Sequence, residues 1–449
     1  VLEGLLSSVD GLDWPVVPNQ AGGAMLSVLF QLERSQWLSP PELWSFQRRQ
    51  LAALLGHTVK HVPYYRERIA GPARHAAQFS PDDFSQLPKL TRAQVQEHFP
   101  QLCAERLPNG HGAAAPGMTS GSTGEPVRFL STSVSGFYWQ AFMLREHLWH
   151  RRDLSAKMVV VRFADDKSTL DNWFGEVGTG LFRTGRCVII PAKWTFDRQL
   201  DCILEERPDY LLGYATNLLG LFRTAEQRAA ELPWLREVRS FGEAVSPEMR
   251  EYFEQRWHLP FTDVYTARET GYMAVQCPDG DDYHVQSESA FVEILNENDT
   301  PCGPGEIGRV VVTPLHNFAM PLIRYDIGDY AEVGPQCSCG RGLPVLRRIF
   351  GRSRNILRLA DGSMRWPTLG TDELLDIAPI RRFKVVQKSL TQIEVRLIAG
   401  RPFKESELAA LRKHFLRHFG PSFDFNFIFL DEFPAQQGDK FEEFVSEVA

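Results

Sequence analysis

Between Thr119 and Pro126 the chain reads Thr-Ser-Gly-Ser-Thr-Gly-Glu-Pro, after a small-residue lead from Gly112 to Gly117. Glycines let a backbone curl until several N–H groups point into one concavity, and hydroxyls add donors, which is how a loop cradles polyphosphate oxygens. Thr119, Ser120, Gly121, Ser122, Thr123 and Gly124 are the candidate phosphate contacts, with a solvated Ser/Gly linker as the competing reading. A Walker loop is excluded, because G-x-x-x-x-G-K-[ST] is absent. Seven cysteines scattered over 449 residues do not form a disulfide framework and are read as reduced thiols or metal ligands. Cys277, His284, Cys337 and Cys339 offer three thiolates and an imidazole, a tetrahedral Zn²⁺ set that would clamp two hairpins. Free buried cysteines are the alternative, and Cys302 is a substitute ligand. His147 and His150, three apart without a third ligand, are read as packing residues.

These groups need elements to hold them. With 43% hydrophobic and 23% charged residues the composition is that of a globular protein, long enough for about three structural units. Lys and Arg total 49 against 56 Asp and Glu, a net charge of −7, which speaks against nucleic acid as the main partner. That charge is compatible with a monomer or a homodimer. No apolar run reaches the roughly 18 residues of a membrane span, and the acidic start lacks a signal peptide's basic region, so a cytoplasmic protein is expected. The first hundred residues read as helix: Ser39-Pro-Pro41 opens one that carries Leu43, Phe46, Leu51, Leu54 and Leu55 on a packing face until Pro63. From Met158 short apolar runs at 158–161, 186–190 and 210–213 alternate with helical stretches, the rhythm of a sheet covered by helices. Phe291–Leu295 and Glu306–Val312 flank a turn and predict a hairpin. Strands around 383–387, 392–397 and 425–430 with a helix at 405–419 predict a small α+β unit at the end.

Taken in order, several motifs resemble the adenylate-forming superfamily, specifically its phenylacetate-CoA ligase-like branch, which includes proteins linked to capsule biosynthesis. The resemblance runs from about Gln50 to the C-terminus. Its phosphate loop is similar to 119–126, although Glu125 stands where many members have Lys. Ser240-Phe-Gly-Glu-Ala244 looks like the segment that lines the adenine, making Gly242, Glu243 and Ala244 the base-side candidates. Val264-Tyr-Thr-Ala-Arg-Glu-Thr-Gly271 looks like the family's Tyr-Gly-x-x-Glu segment. The resemblance places Tyr265 and Thr266 near the adenine and makes Glu269 the Mg²⁺ ligand, a hard carboxylate for a hard cation. The competing role for Glu269 is a surface ion pair with Arg268 or Arg250. Met320-Pro-Leu-Ile-Arg-Tyr-Asp-Ile-Gly-Asp329 is similar to Pro-x-Ile-Arg-Tyr-x-x-x-Asp, which makes Asp329 the ribose ligand, with Asp326 its competitor. Arg352 corresponds to a nucleotide-contacting arginine, and Asn355 stands at the hinge. Phe433-Pro-Ala-Gln-Gln-Gly-Asp-Lys440 resembles the family's terminal Pro-x-x-x-x-Gly-Lys loop and makes Lys440 the catalytic lysine, alongside Glu269 and Thr119. Some members of this branch also carry a zinc site. Tyr138 on the helix after the loop, Tyr214 at a strand-to-helix turn and Gly271 are the acyl-pocket candidates.

The fold class implied is α/β: a large domain of α/β layers with a β-rich part, and a small mobile α+β C-terminal domain. The expected bounds are residues 1–350, made of a helical lead 1–110, an α/β core 111–288 and a β-rich part 289–350, followed by 351–449. The resemblance implies ATP-dependent activation of a small-molecule carboxylic acid as an acyl-adenylate, with Mg²⁺, then transfer to coenzyme A. Two alternatives stand beside it: the same adenylate passed to an amine, a hydroxyl or a carrier-protein thiol, and a non-catalytic nucleotide-binding protein on this fold.

Overall fold

The computed structural model describes residues 4–119, 126–173, 180–352, 355–367, 369, 373–374, 377–431, 433 and 443–448. The chain divides into two compact units, Val1–Ile349 and Phe350–Ala449. In the first, α1 (Gln20–Ser35) starts where the Asn19 side chain accepts the Gly22 N–H at 2.8 Å. The next helix, α2 (Pro40–His61), opens on two prolines whose fixed φ suits a first turn, while Glu42 accepts the Ser39 backbone N–H at 2.9 Å. Leu43, Leu51, Leu54 and Leu55 are buried as the spacing predicts. Phe46 is not: it is 54% exposed, with the Arg49 guanidinium 4.5 Å above its ring, because it lies on the outer side of the stripe.

A two-stranded ribbon, β1 (Ala115–Met118) with β2 (Arg128–Ser131), brackets the predicted phosphate loop and leads into α3 (Ser133–Trp149). The main sheet then takes its parallel strands from β3 (Met158–Arg162), β5 (Cys187–Pro191), β6 (Tyr210–Gly213), β7 (Glu237–Phe241) and β8 (Phe261–Ala267), with the short β4 (Ser168–Leu170) antiparallel at its edge. It continues through β9 (Gly271–Gln276), β10 (Tyr283–Val285), β11 (Ala290–Leu295), β12 (Ile307–Pro314), β13 (Tyr325–Val333) and β14 (Val345–Arg352). The order is β11-β12-β13-β14-β10-β9-β8-β7-β6-β3-β5-β4, twelve strands in one sheet among the described residues. The α/β core and the β-rich part expected within the large domain therefore share this sheet. They are joined because β10 satisfies its two backbone edges on β9 and on β14, where His284 faces Val345.

Helices α4 (Phe196–Glu206) and α5 (Ala215–Gln227) cover the parallel half, burying Leu200, Ile203, Leu218 and Phe222 against Val159, Val161, Val188 and Ile190. At about 25 cal/mol per Å² such burial is the main term holding the layers together. Elsewhere in the same unit α1 and α3 pack Met25, Leu29 and Phe142 on Val264 and Val275. Beneath α3 lies a buried ion network: Arg152 binds Glu237 at 2.9 and 2.6 Å and Glu146 at 3.0 Å, and Arg239 binds Glu146 as well. His147 contacts Arg152 at 3.2 Å and His150 contacts the Gln276 carbonyl at 3.2 Å, so both are packing residues. Among the described residues no helix is long and apolar enough to cross a membrane.

The second unit, after the small pair β15 (Leu357–Arg358) and β16 (Met364–Arg365), builds a sheet from β17 (Ile380–Gln387), β18 (Gln392–Ala399), β19 (Asp424–Phe429) and β20 (Phe444–Ser446), ordered β19-β18-β17-β20. Leu411, Phe415 and Phe419 of α6 (Glu405–Phe419) fill its core with Val385, Val395 and Phe425.

Candidate active site

Parallel strands end their backbone bonding at one edge of a sheet, and the turns that follow are where open α/β folds place ligands. The register aligns Gly213 with Ser240 and Phe241 with Val264, so Tyr214, Gly242 and Tyr265 emerge side by side beyond β6, β7 and β8. Gly242 has φ +73°, a left-handed conformation that lets β7 turn sharply. Glu243 then reaches back to the neighbouring turn: its Oε2 accepts the backbone N–H and the hydroxyl of Thr216, both at 2.9 Å. Tyr214 packs on Phe241 at 4.9 Å, and Ala244 is exposed.

The hydroxyl of Tyr265 donates to Asp329 Oδ2 at 2.8 Å, joining two residues 64 positions apart, both nearly buried. Asp326, the competing carboxylate, is instead paired with Arg309 at 3.2 Å. Next to Tyr265 the β8–β9 register slips by one residue, between the pairs Tyr265–Ala274 and Thr266–Tyr272. Such a slip re-aims the strand end that carries Arg268, Glu269 and Thr270 into the tight turn closed by Gly271 at φ +85°. Glu269 is 5% exposed and Arg268, which is exposed, makes no ion pair among the described residues. Arg250 is committed to the Phe261 carbonyl at 2.6 Å and to Asp281 at 3.4 Å. The surface ion pair that competed for Glu269 is therefore not formed with either arginine.

Glu269 and Gly271 line a cavity of about 170 Å³ together with Tyr138 and Trp139 of α3. Its remaining walls include Ser131 at the end of β2, Ser289 before β11, and His316 after β12. Spacing in sequence could not assemble this wall, since it joins five separate elements. Thr132 sets the start of α3 by accepting the Ser135 N–H at 3.3 Å, and Asn317 ties the β12 end to β2 by donating to the Leu130 carbonyl at 2.7 Å. The rings of Tyr138 and His316 stack at 3.5 Å and 3°. Burial pushes His316 down to about 3 and raises Tyr138, so both are neutral near pH 7.

At the phosphate-loop stem, the Val127 N–H donates to the Thr119 hydroxyl at 2.9 Å and the Thr119 N–H to the Val127 carbonyl at 3.0 Å. Thr119 thus closes the base of the loop. Ser120, Gly121, Ser122, Thr123 and Gly124 lie outside the described residues, as does Lys440. Arg352, at the end of β14, and Asn355 belong to the second unit.

A separate cluster lies where the β9–β10 turn meets the β13–β14 loop. Ligand atoms of Cys277, His284, Cys337 and Cys339 all lie within 4.8 Å of one another. Cys277 and Cys337 sulfurs are 3.8 Å apart and Cys339 Sγ is 3.3 Å from His284 Nε2, close to the edge of about 3.8 Å that a Zn–S bond of about 2.3 Å gives in a tetrahedron. Burial pushes the Cys277 thiol up to about 12 and His284 down to about 4. Burial raises Cys339 too, but hydrogen bonds from Arg341 outweigh it and hold that thiol below its ordinary value. A neutral imidazole beside an ionisable thiol is a donor set that fits a divalent cation. Cys302 lies outside this set.

No family model matches the chain. It is 26% identical to a phenylacetate-coenzyme A ligase of Escherichia coli (strain K12) over 356 residues, 73% of this chain and 75% of the relative. Over 436 residues, 89% of this chain and 88% of the relative, it is 20% identical to the Staphylococcus aureus protein CapK. Among solved structures, a 2-hydroxyisobutyryl-CoA ligase in complex with an acyl-adenylate aligns with a TM-score of 0.72 at 15% identity, covering 92% of each chain. The chain is thus similar in sequence to phenylacetate-coenzyme A ligases over most of its length and shares the fold of the 2-hydroxyisobutyryl-CoA ligase. An anthranilate CoA ligase structure shares this fold with a TM-score of 0.51 at 15% identity, over 75% of this chain and 68% of the other.

Proposed function

We propose that the protein activates a carboxylic acid with ATP and transfers the acyl group to coenzyme A. The observation that carries this reading is the convergence, beyond the carboxyl ends of β6, β7 and β8, of the Gly242 turn, the Tyr265–Asp329 pair and the cavity bordered by Glu269. In this reading Asp329 accepts the ribose hydroxyls, Gly242, Glu243 and Ala244 border the base, and Ser120–Gly124 and Arg352 contact the nucleotide. The acid enters the cavity beside Tyr138 and Gly271. A carboxylate oxygen bonds to the α-phosphorus as the bond to pyrophosphate breaks, and Lys440 holds the charge that moves between them. Glu269 would hold a Mg²⁺ ion, which would supply charge neutralisation for the nucleotide. The coenzyme A thiol then displaces AMP from the acyl carbon.

The set of Cys277, His284, Cys337 and Cys339 holds a structural zinc ion in this reading, pinning the β9–β10 turn to the loop before β14. All seven cysteines are unpaired, which fits the reducing conditions of the cytoplasm.

The test is carboxylate-dependent ATP–pyrophosphate exchange over aryl, hydroxy, fatty and amino acids, with Glu269→Ala and Lys440→Ala as controls. Exchange with one class of acid, lost in both variants and followed by CoA-thioester formation, is the expected outcome. Exchange without a thioester would move the acceptor to an amine, hydroxyl or carrier thiol. ATP binding without exchange for any acid would overturn the enzymatic reading.

A further inference from the structure

The cavity beside Glu269 combines a small volume with a few polar groups that converge on it. At about 170 Å³ it is well below the roughly 300–1,000 Å³ of sites for drug-sized ligands and close to the roughly 150 Å³ that admits a benzene ring. A long acyl chain would not be enclosed within it. Its walls are mainly apolar, but a few polar groups interrupt them. Asn317 and Ser135 are engaged, with Asn317 donating to the Leu130 carbonyl at 2.7 Å and Ser135 donating to the His316 carbonyl at 3.5 Å. By contrast, the hydroxyls of Ser131, Tyr138 and Ser289 and the imidazole of His316 have no hydrogen-bond partner among the described residues. All four border the cavity, Ser289 as a nearly buried side chain.

They come from four different elements: the end of β2, α3, the turn before β11 and the loop after β12. The His316 imidazole is also held rigidly, flat against the Tyr138 ring at 3.5 Å. A purely apolar occupant would strip water from these groups and return nothing, whereas a hydroxyl-bearing occupant restores their bonds. A site that hydrogen-bonds a substrate hydroxyl rejects the analogue lacking it far more strongly than an apolar pocket rejects an added hydroxyl.

We propose that the acid taken by this cavity is small and bears a hydroxyl group on the part of the molecule inside it, recognised by His316 with Ser131, Tyr138 and Ser289. This rests on the adenylation reading for the role of the bound acid, but the recognition itself is a binding property and can be read without turnover.

The test uses the full chain and matched acids: phenylacetate with its 3- and 4-hydroxy derivatives, benzoate with 3-hydroxybenzoate, and isobutyrate with 2-hydroxyisobutyrate. Binding is measured by ligand-observed NMR competition in the presence of a non-hydrolysable ATP analogue, and kcat/KM by ATP–pyrophosphate exchange. The expected result is at least about a tenfold preference for the hydroxylated member of one pair, collapsing to below about threefold in His316→Phe and in Ser289→Ala. Ser289→Ala changes only a hydroxyl, so the test survives if His316→Phe fails to fold. Equal or weaker binding of every hydroxylated acid overturns the proposal, as does a preference that neither variant reduces. Hydroxyl-selective binding without exchange for any acid would uphold it while overturning the adenylation reading.

Discussion

Replacing Tyr265 by Phe keeps the ring and removes one oxygen, so it isolates the bond to Asp329. That bond is 2.8 Å long, and the two residues are 8% and 9% exposed, leaving water little access to replace it. A hydrogen bond to a charged group contributes about 1.5–3 kcal/mol. If Asp329 binds the ribose, a loosened carboxylate loses most of that amount in ATP binding, a factor of about 10 to 150 at 1.4 kcal/mol per decade. The KM for ATP should rise by about tenfold or more, with kcat within about threefold, because the bond acts on binding and not on the charge that moves in the transition state. The assay is initial-rate pyrophosphate exchange against ATP concentration, with thermal unfolding to confirm the fold. Asp329→Asn supplies the cross-check. Asn keeps an oxygen that can accept the Tyr265 hydroxyl but loses the charge that strengthens the bond, so the double variant should be little worse than Asp329→Asn alone. An ATP KM within twofold of the native value, or additive effects in the double variant, would refute the assignment of this pair to the nucleotide.

The cysteine cluster predicts about one equivalent of zinc per chain by elemental mass spectrometry, lost in Cys339→Ser with a lower Tm; protein that is metal-free as purified and unmoved by chelators would exclude it. Glu237→Gln leaves the Arg152 guanidinium partly unpaired in the interior, which should cost about 3–5 kcal/mol in urea unfolding of the native chain; a loss below about 1 kcal/mol would mean water reaches the network. Burial holds His150 near 4, with Arg152 adding to the shift, and His316 near 3. Unfolded, each takes up a proton near 6.5, so the unfolded chain binds more protons between those values and stability falls as pH drops from about 6.5 toward 4. His150→Gln should flatten that part of a Tm–pH profile, and an unchanged slope would place the acid sensitivity elsewhere.

The sequence by itself determined what local chemistry decides. Ser39, Pro40 and Glu42 specify a helix start through bonds within one turn, and the 291–312 hairpin follows from alternation about a turn, with Ile294 facing Val310. The metal-like set was legible because Cys and His are few and their chemistry is narrow. Motif order likewise pointed to Tyr265, Glu269 and Asp329, since each belongs to a short segment whose residue types are unusual. Only the tertiary structure decided how these residues are spent. That Tyr265 donates to Asp329, that Glu243 is bound to Thr216, and that Phe46 faces outward depend on strand order and helix rotation, which no local pattern encodes. That the α/β core and the β-rich part of the large domain share one sheet has the same cause: pairing of β10 with β14 is set by backbone groups seeking partners across some 60 residues of intervening chain. The cavity wall is the clearest case. Ser131, Tyr138, Ser289 and His316 carry no shared spacing, and they become one surface because the β12 end is tied to β2 and α3 begins at that same corner.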